Sequence, residues 1–132
     1  MKIDHIGVAV EALEAAAEFY RDLGLESGGV EDIPSESVRA AFFQAGESRI
    51  ELLESTDPEG PIGRFLAKRG AGLHHICIEV PDVAAALGAL GAKGYRLLDP
   101  SPRTGAGGRK VAFVHPKSSG GVLLELTEEV RE

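Results

Sequence analysis

The stretch IDHIGVAVEALEAAAEFYRDLGLE, starting at Ile3, returns in altered form as LHHICIEVPDVAAALGALGAKGYRL from Leu73. An internal repeat constrains a fold more than any single motif, because each copy has to be one supersecondary unit. Setting His5 on His75 also sets Ile6 on Ile76 and Val10 on Val80. Both copies begin with alternating apolar residues, the period of a strand with one buried face. Both then run into Ala-rich helical spacing. In the first helix Leu13, Ala16, Ala17, Tyr20 and Leu23 form one apolar stripe. In the second, Asp82 follows Pro81 as the expected N-cap. Glycines mark both helix ends, at Gly24 and within Gly91 to Gly94.

The repeat extends further. ESRIELLES at 47 to 55 resembles GGVLLELTE at 120 to 128, with Glu51 matched to Glu125. SVRAAFFQAG, followed by a hairpin turn at Gly46, and RKVAFVHP are the candidate intervening strands. PIGRFLAKRG, residues 61 to 70, reads as a short linking helix. The expected fold class is α+β: two tandem βαβββ modules whose curled mixed sheet surrounds a metal cleft. The chain is expected to be one domain over 1–132, with module 1 at about 1–56, the linker helix at about 60–70 and module 2 at about 72–130.

A strand turns successive side chains to opposite faces, so His5, Gly7 and Ala9 lie opposite Ile6, Val8 and Val10. The His face carries small residues and leaves room for a ligand. In the second copy His75, Cys77 and Glu79 share a face. Glu51 and Glu125 are flanked on both sides by apolar residues, so each points away from them. Two His and two Glu thus occupy symmetric positions. Carboxylates within an apolar cleft are costly unless a cation meets them. Two carboxylates neutralise a divalent ion and two imidazoles complete the shell, so His5, Glu51, His75 and Glu125 are the expected metal ligands. Nitrogen and oxygen donors without thiolate suit Co²⁺, Mn²⁺, Ni²⁺, Zn²⁺ or Fe²⁺. Cys77 is expected to pack in the core and His74, which aligns with Asp4, to serve structure. His115, ahead of Pro116, is expected to shape a turn.

The 132 residues carry a net charge of −7, which argues against nucleic-acid partners and anionic membranes. Pro100 to Leu124 departs from this. It contains Arg103, Arg109, Lys110 and Lys117 and no acid, leaving −11 on the remainder. Such a segment suits an anionic ligand, and GAGG at 105 to 108 adds unobstructed backbone N–H groups. The lone cysteine, Cys77, excludes an intrachain disulfide. With no signal-peptide pattern at MKIDHIGVAV and no apolar run of membrane-spanning length, a cytoplasmic location is expected.

DHIGVAV, RIELLE, GLHHICIEV and GAGGRKVAFVHPKSSGGVLLELTE, taken in order, resemble the methylmalonyl-CoA epimerases of the vicinal oxygen chelate superfamily. The resemblance runs from about Ile3 to Glu128. It implies paired βαβββ modules, a homodimer, and one divalent ion per chain, Co²⁺ first among the metals named above. It places metal ligands at His5, His75 and Glu125 and a fourth at Glu51, where some relatives use an amide. The implied reaction interconverts the R and S forms at C2 of methylmalonyl-CoA through a metal-stabilised enolate, with Glu125 and Glu51 as acid/base. Arg103, Arg109, Lys110 and Lys117 are then expected at the CoA phosphates. Some epimerases carry a second catalytic carboxylate on a strand of the first module. The matching stretch here, VRAAFF from Val38 to Phe43, has none. The rival expectations are a lyase of glyoxalase type acting on a glutathione adduct, a non-catalytic small-molecule-binding protein, and an extradiol-type oxygenase.

Overall fold

The computed structural model describes residues 1–105 and 108–129. It divides into two compact units, His5–His74 and a second made of Met1–Asp4 with His75 onward. Both have the same βαβββ plan, as the repeat requires. The first contains most of β1 (Lys2–Val10), then α1 (Leu13–Leu23), β2 (Glu26–Ile33), β3 (Val38–Ala45), β4 (Ser48–Ser55) and α2 (Pro61–Arg69). The second contains most of β5 (Gly72–Val80), then α3 (Val83–Ala92), β6 (Arg103–Thr104), β7 (Lys110–Val114) and β8 (Leu123–Glu128).

In the first unit the strands run in the order β2-β3-β4-β1, and β1 pairs with β4 in parallel while the other pairs are antiparallel. The second repeats this as β6-β7-β8-β5, with β5 parallel to β8. A parallel pair needs a crossover, and α1 and α3 supply it. Each packs its apolar stripe on one sheet face. Leu13 and Ala17 join Val10, Phe43 and Leu52, while Val83 and Leu87 join Val80, Val114 and Leu126. Leu23 departs from the expected stripe. It lies in the last turn of α1 and is 64% exposed. Gly24 then ends the helix at φ 105°, where an L side chain is strained.

Helix entry is also duplicated. The backbone N–H of Leu13 donates to Glu54 Oε2 at 2.7 Å, and that of Val83 to Glu128 Oε1 at 3.0 Å. Each carboxylate comes from the strand parallel to the one that leads into the helix. It satisfies an otherwise orphaned N–H and meets the positive end of the helix dipole. Asp82 caps α3 as expected, through Ala85 N–H, whereas Ala12 at the start of α1 has no capping side chain. Glu54 is therefore the main anchor of α1. Glu54→Ala is expected to cost about 1–2 kcal/mol in chemical denaturation, more than Glu128→Ala, whose helix keeps Asp82.

Two elements add to the sequence reading. ESGGVEDI forms a full strand, β2, although its exposed, Gly-containing sequence has no strand period. It holds because seven of its residues pair along β3, with an irregularity between Ser27 and Gly29. The linking helix α2 also does more than connect. Ile62 is buried with Ala9, Val38, Ala40 and Leu53, and Phe65 and Leu66 pack beside them. The face of β1 that carries His5 is thus covered at its Ala9 end rather than open along its length.

Candidate metal and acid/base site

Each unit presents one imidazole beside one carboxylate. In the first, His5 Nε2 lies 2.9 Å from Glu51 Oε2. In the second, His75 Nε2 lies 3.7 Å from Glu125 Oε1. Strand register explains the match. Glu51 on β4 stands opposite Gly7 on β1 and Phe42 on β3. Glu125 on β8 stands opposite Cys77 on β5 and Phe113 on β7. Each carboxylate therefore has a small residue on one side and a phenyl ring on the other, with a histidine two residues before the small one. Alternation along the strands sets all of these on one face of each sheet.

The four side chains are only 10–15% exposed. Ionised carboxylates so enclosed require a partner, and an imidazole alone supplies no fixed charge. Two ligand atoms each about 2.1 Å from one cation sit roughly 3–3.5 Å apart at right-angled to tetrahedral angles. The His–Glu separations within the two units, 2.9 and 3.7 Å, lie on either side of that range. Donor type, enclosure and spacing in each unit thus fit a divalent metal such as Co²⁺, Mn²⁺ or Zn²⁺.

The remaining sequence candidates fall as follows. Cys77 is fully buried, as a core residue. His74 packs edge-to-face on Phe65, ring centroids 5.0 Å apart, which gives it a structural place on α2. His115 accepts the Lys117 backbone N–H at Nδ1 over 3.0 Å and so holds a turn. Of the four cations, Lys110 and Lys117 are exposed. Arg103 is also exposed, its guanidinium 5.2 Å over the Phe113 ring and its Nε 3.4 Å from Asp99 Oδ2. Phe113 is the neighbour of Glu125, so Arg103 stands one ring away from that carboxylate. Arg109 is placed differently. Its guanidinium turns inward to Asp4, Glu79 and the carbonyl of Glu128. In the GAGG cluster, Ala106 and Gly107 lie outside the described residues. Gly105 N–H donates to the Arg109 carbonyl at 2.7 Å and Gly108 N–H to the Gly105 carbonyl at 3.2 Å, so two of the four amides serve the loop itself.

Sequence reading did not single out Glu54, Glu128 or the Arg109 partners. The repeat contained the signal for the first two, because Glu51-Leu-Leu-Glu54 and Glu125-Leu-Thr-Glu128 share one spacing. Nothing in the sequence marked Asp4 and Glu79 as partners of a residue at 109.

Residues 4–113 match the Glyoxalase/Bleomycin resistance protein/Dioxygenase superfamily, and the chain belongs to that family. Within it, the chain is similar to the ethylmalonyl-CoA/methylmalonyl-CoA epimerase of Cereibacter sphaeroides, at 42% identity over 96% of this chain and 97% of that protein. Among solved structures it is similar to the methylmalonyl-CoA epimerase of Mycobacterium tuberculosis. That match has a TM-score of 0.87 and 34% identity, covering 98% of this chain and 89% of that one. A further methylmalonyl-CoA epimerase, solved in complex with methylmalonyl-CoA and NH4+, matches with a TM-score of 0.85 and 38% identity, covering 98% and 94%.

Proposed function

We propose that this chain is an epimerase acting at C2 of short 2-alkylmalonyl thioesters of CoA, methylmalonyl-CoA first. The observation that carries the reading is the pairing of one enclosed histidine with one enclosed glutamate in each repeat, in a chain 42% identical over nearly its full length to an epimerase of that class. His5, Glu51, His75 and Glu125 hold one divalent metal per chain in this reading. When bound, the metal supplies positive charge beside the thioester oxygen on which enolate charge gathers.

The chain's own residues account for the proton. The C2 hydrogen lies between a thioester and a carboxylate, so its removal gives a delocalised carbanion. A glutamate takes it from one face, and inversion needs return from the other. Glu125 and Glu51, one from each repeat, are the acid/base pair, a dual role that requires each carboxylate's bond to the metal to be labile. Glu125 is the primary base in this reading. Phe113 and Phe42 stand beside the two carboxylates across the strands. Arg103, Lys110 and Lys117 meet the phosphates of CoA, a role for which charge and exposure suit them. The protein works as a homodimer in this reading and resides in the cytoplasm. Among the described residues, no helix is long and apolar enough to cross a membrane.

The test is solvent-deuterium incorporation at C2 of methylmalonyl-CoA, followed by mass spectrometry with and without a chelator. Incorporation that stops on chelation and returns with Co²⁺ is expected. Absence of metal-dependent exchange rejects the activity.

A further inference from the structure

Arg109 is engaged by the protein's own acids and backbone, and its contacts follow a pattern. Its Nη1 donates to Asp4 Oδ1 at 3.3 Å, and its Nη2 to Glu79 Oε1 at 3.1 Å. Nε and Nη2 both donate to the backbone carbonyl of Glu128, at 3.2 and 2.8 Å. Asp4 immediately precedes His5 on β1. Glu79 is on β5, four residues after His75, and Glu128 is on β8, three residues after Glu125. One guanidinium thus grips the three strands that carry His5, His75 and Glu125. It is 24% exposed, and Asp4 and Glu79 are 12% and 14% exposed, so these ion pairs are shielded well beyond those of a solvated surface.

We propose that Arg109 is a positioning residue for the metal ligands, and that it sets the metal affinity of the protein without touching the metal. The inference rests on the metal reading above. Its physical basis is the rigid planar fork of arginine, whose donors point in fixed directions. Asp4 bonded to one arm fixes the backbone that leads into His5. Glu79 on another arm fixes the strand of His75, and the doubly held carbonyl fixes the end of β8. Ligands already held in place lose less freedom when a cation binds, and the saving appears as affinity. Lysine brings the charge but only one donor centre. Glutamine removes the charge from both contacts, leaving Glu79 only the longer pair with Lys2 at 3.9 Å among the described ion pairs. The Arg39–Asp32 pair, 3.1 Å apart between β3 and the exposed strand β2, lies on strands that carry none of the four ligands and serves as the control.

The experiment titrates Co²⁺ into the metal-free protein by calorimetry, with the thermal midpoint of each metal-free variant recorded beside it. Arg109→Gln is expected to weaken Co²⁺ by about 10-fold or more, the size found when partners of metal ligands are lost. Arg109→Lys is expected to fall between that variant and the wild type, and Arg39→Gln to leave affinity unchanged. A lowered midpoint with wild-type affinity in Arg109→Gln would reduce Arg109 to a stabilising residue and overturn the proposal. If Arg109→Gln does not fold, Asp4→Asn, which loosens one arm only, is expected to weaken Co²⁺ several-fold, and unchanged affinity there overturns it equally. A wild-type protein that binds no Co²⁺ would instead refute the metal reading, so the two failures are told apart.

Discussion

Replacing Glu125 by glutamine is expected to lower deuterium incorporation at C2 of methylmalonyl-CoA by about 1,000-fold or more while leaving the protein folded. A positioned base contributes roughly 10²–10⁴ to such a step. Glutamine keeps the shape of the side chain between Cys77 and Phe113 and keeps an oxygen that can accept a hydrogen bond. It cannot take a proton. The substitution therefore separates chemistry from packing. It also separates chemistry from metal retention, because an amide oxygen remains a usable, weaker ligand. The informative pair of measurements is the exchange rate and the Co²⁺ content of the same preparation. Lost exchange with substantial metal retained assigns the proton to Glu125. Exchange near the wild-type rate would remove Glu125 from the acid/base role. Glu51→Gln is the companion. If the two glutamates serve opposite faces, it should slow net inversion more than exchange, because proton removal by Glu125 persists.

The duplicated architecture was legible because the hydrophobic period and the glycine punctuation recur in both halves, so each copy corroborated the other. The His–Glu pairs were legible for the same reason. A single glutamate on an alternating strand says little, but two at corresponding positions of the repeat, with a histidine 46 residues before one and 50 before the other, form a pattern. What escaped lacked a local signature. β2 consists of exposed residues whose strand state is imposed by pairing with β3, and no periodicity reports that. The packing of Ile62 and Phe65 on the His5 face depends on where a linking helix docks, which the helix sequence alone leaves open. Arg109 was read by its charge and its neighbours in sequence, whereas its role follows from Asp4 and Glu79, respectively 105 and 30 residues away. Charge clustering along a chain identifies cations and says nothing about which of them the fold has already paired.

Substituting His5 by alanine is expected to weaken Co²⁺ binding by about 100-fold or more, beyond the 10–100-fold that follows loss of a ligand's supporting partner. Stoichiometry discriminates here as strongly as affinity. One ion shared by the two repeats and one ion held separately in each repeat make different predictions. With a shared ion, wild type takes up one Co²⁺ per chain, and His5→Ala and His75→Ala each degrade that single isotherm to a similar extent. With separate ions, wild type takes up two, and each substitution removes one while sparing the other. The donor count favours sharing, since one histidine and one glutamate are too few ligands for a closed site, whereas two of each would supply four donors to one ion. Metal analysis of dialysed protein alongside calorimetry decides between them. Full occupancy in His5→Ala would take that imidazole out of the ligand set. Retention of one ion of two would locate the chemistry within single repeats, and would leave Glu51 and Glu125 on different metals instead of on opposite faces of one substrate.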